Sequence, residues 1–177
     1  MPKRHENYEV DVLDTHGKVI AIKRRKDIDR QKDVLHLVYV FVVTPEGELL
    51  LSRIPKTTSK HPLFANKLGV TVATIVRHNE AHKDAAIRAM KRELGVKKPD
   101  LTFLGETLET FPGIPKRLIA AYVCTAAKEQ LKPKTELTGE IVSVTGNDLD
   151  RLMRKRKELA PTLLVFWDRY AESMDDL

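Results

Sequence analysis

The stretch AAIRAMKRELGV, Ala85–Val96, decides the fold of the chain around it. Apolar residues recur in it at steps of three and four, which predicts a helix with one apolar face. Gly95 and then Pro99 predict the end of this helix, and Asn79 is the expected cap of a helix that begins near Glu80. The apolar positions are Ala85, Ala86, Ile87, Met90 and Leu94.

Short apolar runs on both sides of the helix predict strands. The run Leu37–Val43 is apolar almost throughout, which is typical of a strand buried on both faces. A hairpin is predicted around the turn Asp14–Gly17, and Pro161 is expected to open the last of two C-terminal helices. Further strands are predicted in segments 48–54, 68–76, 101–110, 117–127 and 140–145, and the first C-terminal helix in 148–159. The order of strands, helix, strands and two helices predicts an α/β protein.

Composition narrows the partners only slightly. The chain has 177 residues, a length that suggests one domain with room for a small extension. Lys and Arg number 31 against 25 Asp and Glu, so the formal net charge is +6, which favours anionic partners such as nucleotides or diphosphates. A basic, solvated surface without such a partner accounts for the same charge equally well.

The chain contains one cysteine, Cys124, so an internal disulfide is impossible. This thiol lies in an apolar run and is expected to be a small core residue. The N-terminus lacks the apolar region of a signal peptide, and no run is long enough to cross a bilayer. We therefore expect a cytoplasmic protein with no membrane partner.

The charged residues around the helix resemble the Nudix box, G-x5-E-x7-R-E-U-x-E-E-x-G-U, in which U is a bulky aliphatic residue. Laid on the chain without a gap, the box starts at Thr74, which replaces the opening glycine. Ala89 and Arg92 replace two of its three clustered acids. The matching residues are Glu80, Arg88, Met90, Glu93, Gly95 and Val96. The resemblance implies a Nudix-type α/β/α sandwich with a mixed sheet and a degenerate box.

The segment before the box resembles the Nudix branch that includes isopentenyl diphosphate isomerase. In both, a strand starts with a histidine, here His36, and the sequence LLLSR at 49–53 leads into a loop that reaches Pro62. Isomerase activity is not expected, because segment 66–71 holds no cysteine where that enzyme has its catalytic one. On this resemblance we divide the chain into an N-terminal β-hairpin extension, residues 1–30, and a Nudix domain, residues 31–177.

The resemblance also implies a divalent metal, Mg²⁺ or Mn²⁺, held by carboxylates on the helix. Only Glu93 of the clustered acids remains, so the implied ligands are Glu80, Glu93 and Glu140, with Arg88 orienting Glu93 for catalysis. Arg92 is a permanent cation that would repel a dication. Each of these residues also has an ordinary interpretation, since Glu80 suits the first turn of a helix and isolated surface pairs contribute little.

Arg53 and Lys56 lie just before the box, on the side that borders the substrate in the family, and are the expected ligands of phosphate oxygens. The basic segment 151–157 could contact nucleic acid, but no RNA-binding motif accompanies it, so a solvated helix is favoured. A homodimer formed through the apolar N-terminal strands is compatible with the sequence.

Two functions remain open at this point. The first is metal-dependent hydrolysis, with reduced activity, of a nucleoside diphosphate linked to another moiety or of a related diphosphate. The second is a non-catalytic Nudix domain that binds a nucleotide, a diphosphate ligand or a protein. Ala89 and Arg92 favour the second function, and the retained spacing of the box favours the first.

Overall fold

The computed structural model of the protein describes residues 7–59 and 61–175. Over these residues the chain forms a nine-stranded mixed sheet with helices on both faces, which confirms the predicted α/β architecture. The strands are β1 (Glu9–Leu13), β2 (Val19–Arg24), β3 (Val34–Val43), β4 (Leu49–Arg53), β5 (Leu68–Gly69), β6 (Val72–Ile75), β7 (Leu101–Phe111), β8 (Ile114–Thr125) and β9 (Ile141–Val144). The helices are α1 (His82–Leu94), α2 (Thr135–Thr138), α3 (Gly146–Arg154) and α4 (Pro161–Asp175).

Strand β3 is the centre of the sheet. It pairs in parallel with β8 along its length, from Leu35 with Arg117 to Val43 with Thr125. On its other side it pairs antiparallel with β1, then β6, then β4. Strand β2 extends the sheet beyond β1, β7 lies beyond β8, and both β5 and β9 pair with β4.

Strands β3 and β4 separate after only two residue pairs, and β6 enters the gap between them. The Thr71 hydroxyl holds this branch point together, since it accepts from the Val42 amide at 2.9 Å and donates to the Leu50 carbonyl. Segment 68–76 is therefore two strands rather than the single one predicted. The hydroxyl supplies backbone hydrogen bonds that the separating strands cannot make with each other.

Two apolar clusters fill the space between the sheet and its helices. One lies under α1 and includes the fully buried Ala89 and Met90 together with Cys124, whose pKa burial raises to about 11. The prediction that Cys124 is a core residue is confirmed. The other cluster lies under α4, where Phe166 packs against Tyr39 and Phe41. Alternating side chains of β3 face the two clusters in turn, so this strand is buried on both faces as predicted.

Helix α1 ends as the sequence predicts and begins differently. Gly95 adopts φ 71° and its amide donates to Lys91, which closes the helix. Asn79 is not the cap, because it lies in a left-handed turn with φ 60° and the helix starts two residues after Glu80, behind Ala81. This turn moves Glu80 out of the helix.

Other predicted elements are confirmed with small shifts of their ends. The N-terminal hairpin forms between β1 and β2 and joins the main sheet, because Val12 of β1 pairs with Leu35 of β3. The first C-terminal helix runs from Gly146 to Arg154, behind Thr145, rather than over the predicted segment 148–159. The division into residues 1–30 and 31–177 stays a prediction, and residues 1–6, 60, 176 and 177 lie outside the described part.

Candidate functional site

Glu80 and Arg88 form the best-connected ion pair of the box segment. The Arg88 guanidinium donates from Nε to one Glu80 oxygen at 2.7 Å and from Nη2 to the other at 2.9 Å. Arg88 also donates to the Ile75 carbonyl at 3.0 Å, and the Arg77 amide donates to Glu80 at 2.9 Å. Burial opposes ionisation of Glu80, but these hydrogen bonds outweigh it and hold its pKa below the ordinary value.

Arg88 therefore binds Glu80 and not Glu93, the partner that the resemblance implied. Residues 88 and 93 are five apart on α1, which turns their side chains about 140° away from each other. Glu80 reaches Arg88 because the turn from Arg77 to Glu80 folds the chain back over the helix. The pair fastens the loop before α1 to the helix itself.

Glu93 lies at the other end of α1 and is paired with its neighbour. Arg92 Nη2 is 2.5 Å from Glu93 Oε1, and the Glu93 side chain is only 8% exposed. Burial raises the pKa of Glu93, and the charges of Arg92 and Arg88 oppose that rise. The Arg92 Nε group is itself buried and has no hydrogen-bond acceptor among the described residues.

Glu140 and Arg53 form the third pair, at the exposed rim of the sheet. Arg53 Nε is 3.5 Å from Glu140 Oε2, and Arg53 also donates to the Asn66 carbonyl at 3.1 Å. The Arg53 amide donates to the Glu140 carbonyl, which extends the contact between β4 and the segment before β9. The Glu140 side chain is 71% exposed, so solvent screens this pair strongly.

Gly139 allows this rim to form. Its φ of 68° lies in the left-handed region, and a Cβ at this position would overlap the Arg53 carbonyl oxygen. Ser52 completes the contact by donating its hydroxyl to the Thr138 carbonyl. Lys56, the other predicted phosphate ligand, is exposed on the loop that follows β4.

The three predicted metal ligands therefore lie in three separate ion pairs. Segment 134–140 links the pairs of Glu93 and Glu140. The Lys134 amide donates to the Glu93 carbonyl, and Glu140 lies six residues later in the chain. Over the described ranges, no three His, Cys, Asp or Glu side chains come together in a group that could hold a metal ion.

A second polar cluster lies on the same side of the sheet as α1. Of its members, only His36 is a candidate from the sequence. His36 Nε2 is 2.9 Å from Glu106 Oε2, and the His36 ring meets the His82 ring edge-on at 6.0 Å. His82 is bonded through Nδ1 to the Tyr122 hydroxyl and stacks on the half-exposed Phe103. Burial lowers the pKa of His36, against the opposing charge of Glu106. The members come from β3, α1, β7 and β8, so no local sequence spacing could have revealed the cluster.

The family follows from residues 34–167, which match the model of the NUDIX domain. The chain belongs to the Nudix family. The match includes the whole box and extends from the start of β3 into α4. Comparison with curated protein sequences gives no significant match.

Solved structures of Nudix proteins share the fold. The chain is similar to DR0079 of Deinococcus radiodurans, with a TM-score of 0.74 at 19% identity over 91% of this chain and 98% of that one. It is similar to a MutT protein of Methanosarcina mazei, with a TM-score of 0.61 at 17% identity over 83% and 98%. The Nudix domain of Shewanella oneidensis NrtR, solved with ADP ribose, has a TM-score of 0.59 at 15% identity over 84% and 92%.

The side chains present do not fit the divalent metal of the family. Mg²⁺ and Mn²⁺ prefer hard oxygen ligands, chiefly carboxylates with open coordination sites. Here Ala89 contributes a methyl group inside the apolar cluster, and Arg92 places a guanidinium on Glu93, which alone remains of the three clustered box acids. Both oxygens of Glu80 accept hydrogen bonds from Arg88.

The Arg92 guanidinium lies against Glu93, so a dication beside Glu93 would meet direct repulsion from it.

Among the residues that the structure describes, no helix is long and apolar enough to span a bilayer.

Proposed function

We propose that this chain is a Nudix domain that binds a nucleoside diphosphate linked to another moiety, or a related diphosphate, and that its metal-dependent hydrolysis is lost or much reduced. The observation that carries the proposal is the pairing of each predicted metal ligand with an arginine, Glu80 with Arg88, Glu93 with Arg92 and Glu140 with Arg53. Three carboxylates that each have a guanidinium partner leave little net negative charge for a dication.

The phosphate ligands in this proposal are Arg53 and Lys56. Arg53 is fixed by the Asn66 carbonyl while its contact with Glu140 is long and exposed, so a phosphate can replace that carboxylate at small cost. Lys56 lies three residues later, exposed on the loop that follows β4, and would add a second positive charge. The excess of basic residues in the whole chain favours the approach of such an anion.

The second candidate function is metal-dependent hydrolysis that uses Glu93, with reduced activity, and one observation favours it. Glu93 stands at its place in the box, on a helix whose closing Gly95 and apolar face match the family pattern. If Arg92 swung out to solvent, Glu93 would be the one carboxylate left of the three clustered box acids that could contact a metal. Arg88 contacts Glu80, so in this version it maintains the loop before α1 and does not orient Glu93.

The isopentenyl diphosphate isomerase-like branch and the degenerate box are part of the proposal. They are supported by His36 at the start of the central strand, by the sequence of β4 and by the two replaced acids. Both point to a diphosphate as the ligand and do not define the group attached to it.

The test is a binding measurement and a turnover measurement on the same samples. ADP ribose, a nucleoside diphosphate sugar and isopentenyl diphosphate are titrated calorimetrically in EDTA, and each is then incubated with Mg²⁺ or Mn²⁺ while product release is followed. Binding in EDTA with little turnover supports the proposal. Fast turnover that Glu93→Gln abolishes would establish the hydrolase instead.

Replacement of Arg53 and Lys56 sharpens this test. We expect Arg53→Ala with Lys56→Ala to weaken binding by about thirtyfold or more, because each charge-assisted hydrogen bond to phosphate contributes on the order of 1–3 kcal/mol and two are lost. Lys18→Ala with Lys26→Ala removes two exposed positive charges, in the turn of the N-terminal hairpin and just after its second strand, and is the matched control. Equal affinity in both variants would remove Arg53 and Lys56 from the site.

A further inference from the structure

The C-terminal half of α1 contains a cation of its own. The Arg92 guanidinium lies 2.5 Å from the Glu93 carboxylate, at a position where the family box has an acid. Glu93 is the most buried of the three predicted metal ligands, since its side chain is 8% exposed, whereas that of Glu80 is 16% and that of Glu140 is 71% exposed. The carboxylate is therefore neutralised from within the protein.

The other box positions provide no free carboxylate that could bind a metal ion beside this cation. Ala89, one turn earlier on α1, has its side chain fully buried among apolar residues and provides no oxygen. Glu80 accepts two hydrogen bonds from Arg88 and one from a backbone amide, so its oxygens are engaged at the opposite end of the helix. Glu93 is thus the only box acid near this end, and its ionic partner is already present.

We propose that Arg92 is the resident cation of this site, occupying the place beside Glu93 that a divalent metal ion would otherwise take, so that the domain holds its anionic ligand without metal. A guanidinium satisfies a buried carboxylate by charge and directed hydrogen bonds, and it cannot dissociate from the protein as a metal ion can. Its presence also makes the local field repulsive to a dication. The statement about the ligand rests on the proposed function, whereas the exclusion of metal by Arg92 does not.

The experiment measures metal binding directly and needs no substrate. Mn²⁺ is titrated into the full chain and the free ion is followed by electron paramagnetic resonance, with thermal unfolding in EDTA and in Mn²⁺ recorded alongside. We expect weak binding to the wild type and about tenfold tighter binding to Arg92→Glu, with a rise in Tm only in Mn²⁺. Lys91→Glu, at the exposed neighbouring position, makes the same charge change and is expected to bind Mn²⁺ like the wild type.

Two further variants keep the result decisive. Arg92→Gln removes the cation without adding an acid, so a gain of Mn²⁺ affinity is expected even if Arg92→Glu folds poorly. Arg92→Gln combined with Glu93→Gln is expected to lose that gain. Tight binding of Mn²⁺ by the wild type that Glu93→Gln abolishes would overturn the proposal, as would unchanged affinity in both Arg92 variants.

The outcome separates this proposal from the proposed function. Exclusion of Mn²⁺ with no binding of any diphosphate in EDTA would retain the resident cation and refute the ligand. Diphosphate binding that disappears in EDTA would refute the resident cation and retain the ligand.

Discussion

The pair Glu80–Arg88 and the pair Glu140–Arg53 use the same chemical groups in opposite settings. The first is mostly buried, has two hydrogen bonds of 2.7 and 2.9 Å and includes backbone partners on both sides. The second is a single 3.5 Å contact at an exposed rim. The difference shows that burial and bond number, more than the presence of opposite charges, decide whether such a pair holds the structure or remains available to a ligand.

The strongest test of this comparison removes each arginine in turn. We expect Arg88→Ala to lower the free energy of unfolding by about 3 kcal/mol, because it leaves a half-buried carboxylate without its cation. Arg53→Ala is expected to cost less than about 1 kcal/mol, since Glu140 is already solvated. Chemical denaturation at pH 7 measures both values, and a cost for Arg53→Ala equal to that for Arg88→Ala would contradict the distinction.

A smaller effect concerns the pH dependence of folding stability, to which Glu80 and Glu93 contribute in opposite directions. The lowered pKa of Glu80 stabilises the fold above the ordinary pKa of a glutamate, and this contribution is lost as the pH falls through the folded value. Glu93 has a raised pKa, so as the pH falls the folded state binds this proton before the unfolded state does. The stability that Glu93 contributes therefore increases as the pH falls from the folded pKa towards the unfolded pKa.

At pH 7, therefore, Glu80→Gln is expected to lower stability by about 1–2 kcal/mol, whereas Glu93→Gln changes it by less than about 1 kcal/mol. Denaturation curves between pH 4 and 8 would show the difference in slope between the two variants. A larger loss for Glu93→Gln than for Glu80→Gln would show that the Arg92 contact outweighs the burial of the carboxylate.

The smallest effect concerns competition at the rim. Under the proposed function, Glu140 competes with the diphosphate for Arg53, so Glu140→Gln is expected to tighten diphosphate binding by about twofold to threefold, in line with the small energy of an exposed pair. Glu129→Gln, an equally exposed acid next to β8, serves as the control for the change in net charge. Calorimetric titration in EDTA measures both, and weaker binding by Glu140→Gln would place that carboxylate among the ligand contacts.

Much of the fold was predictable because it depends on local patterns. The apolar spacing of α1 and the left-handed Gly95 at its end are written in consecutive residues, as are the apolar run of β3 and the turn of the first hairpin. The start of α1 was predicted wrongly because Asn79 has two uses, as a helix cap and as a residue that tolerates positive φ, and the chain adopts the second. The branch at Thr71 depends on contacts between strands far apart in sequence.

The candidate site was less predictable, for a physical reason. Box spacing singled out Glu80, Arg88 and Glu93 but could not say which acid each arginine would contact. Helical geometry places Arg88 and Glu93, five residues apart, on different faces of α1. The sequence alone therefore argued against an ion pair between them. The choice of Glu80 instead depends on the turn before α1, and the contact between Arg53 and Glu140 depends on a join between β4 and the segment before β9.

The close approach at Gly139 restricts how the rim can diversify. The neighbouring Glu140 is solvated and can be exchanged for many side chains. Under the proposed function, these exchanges would tune the preference for one anion over another. Position 139 accepts only a hydrogen atom as its side chain, since anything larger would push β4 away from the chain that carries residue 140. A combinatorial library built to redirect the specificity of this domain should therefore randomise residue 140 freely and keep residue 139 constant.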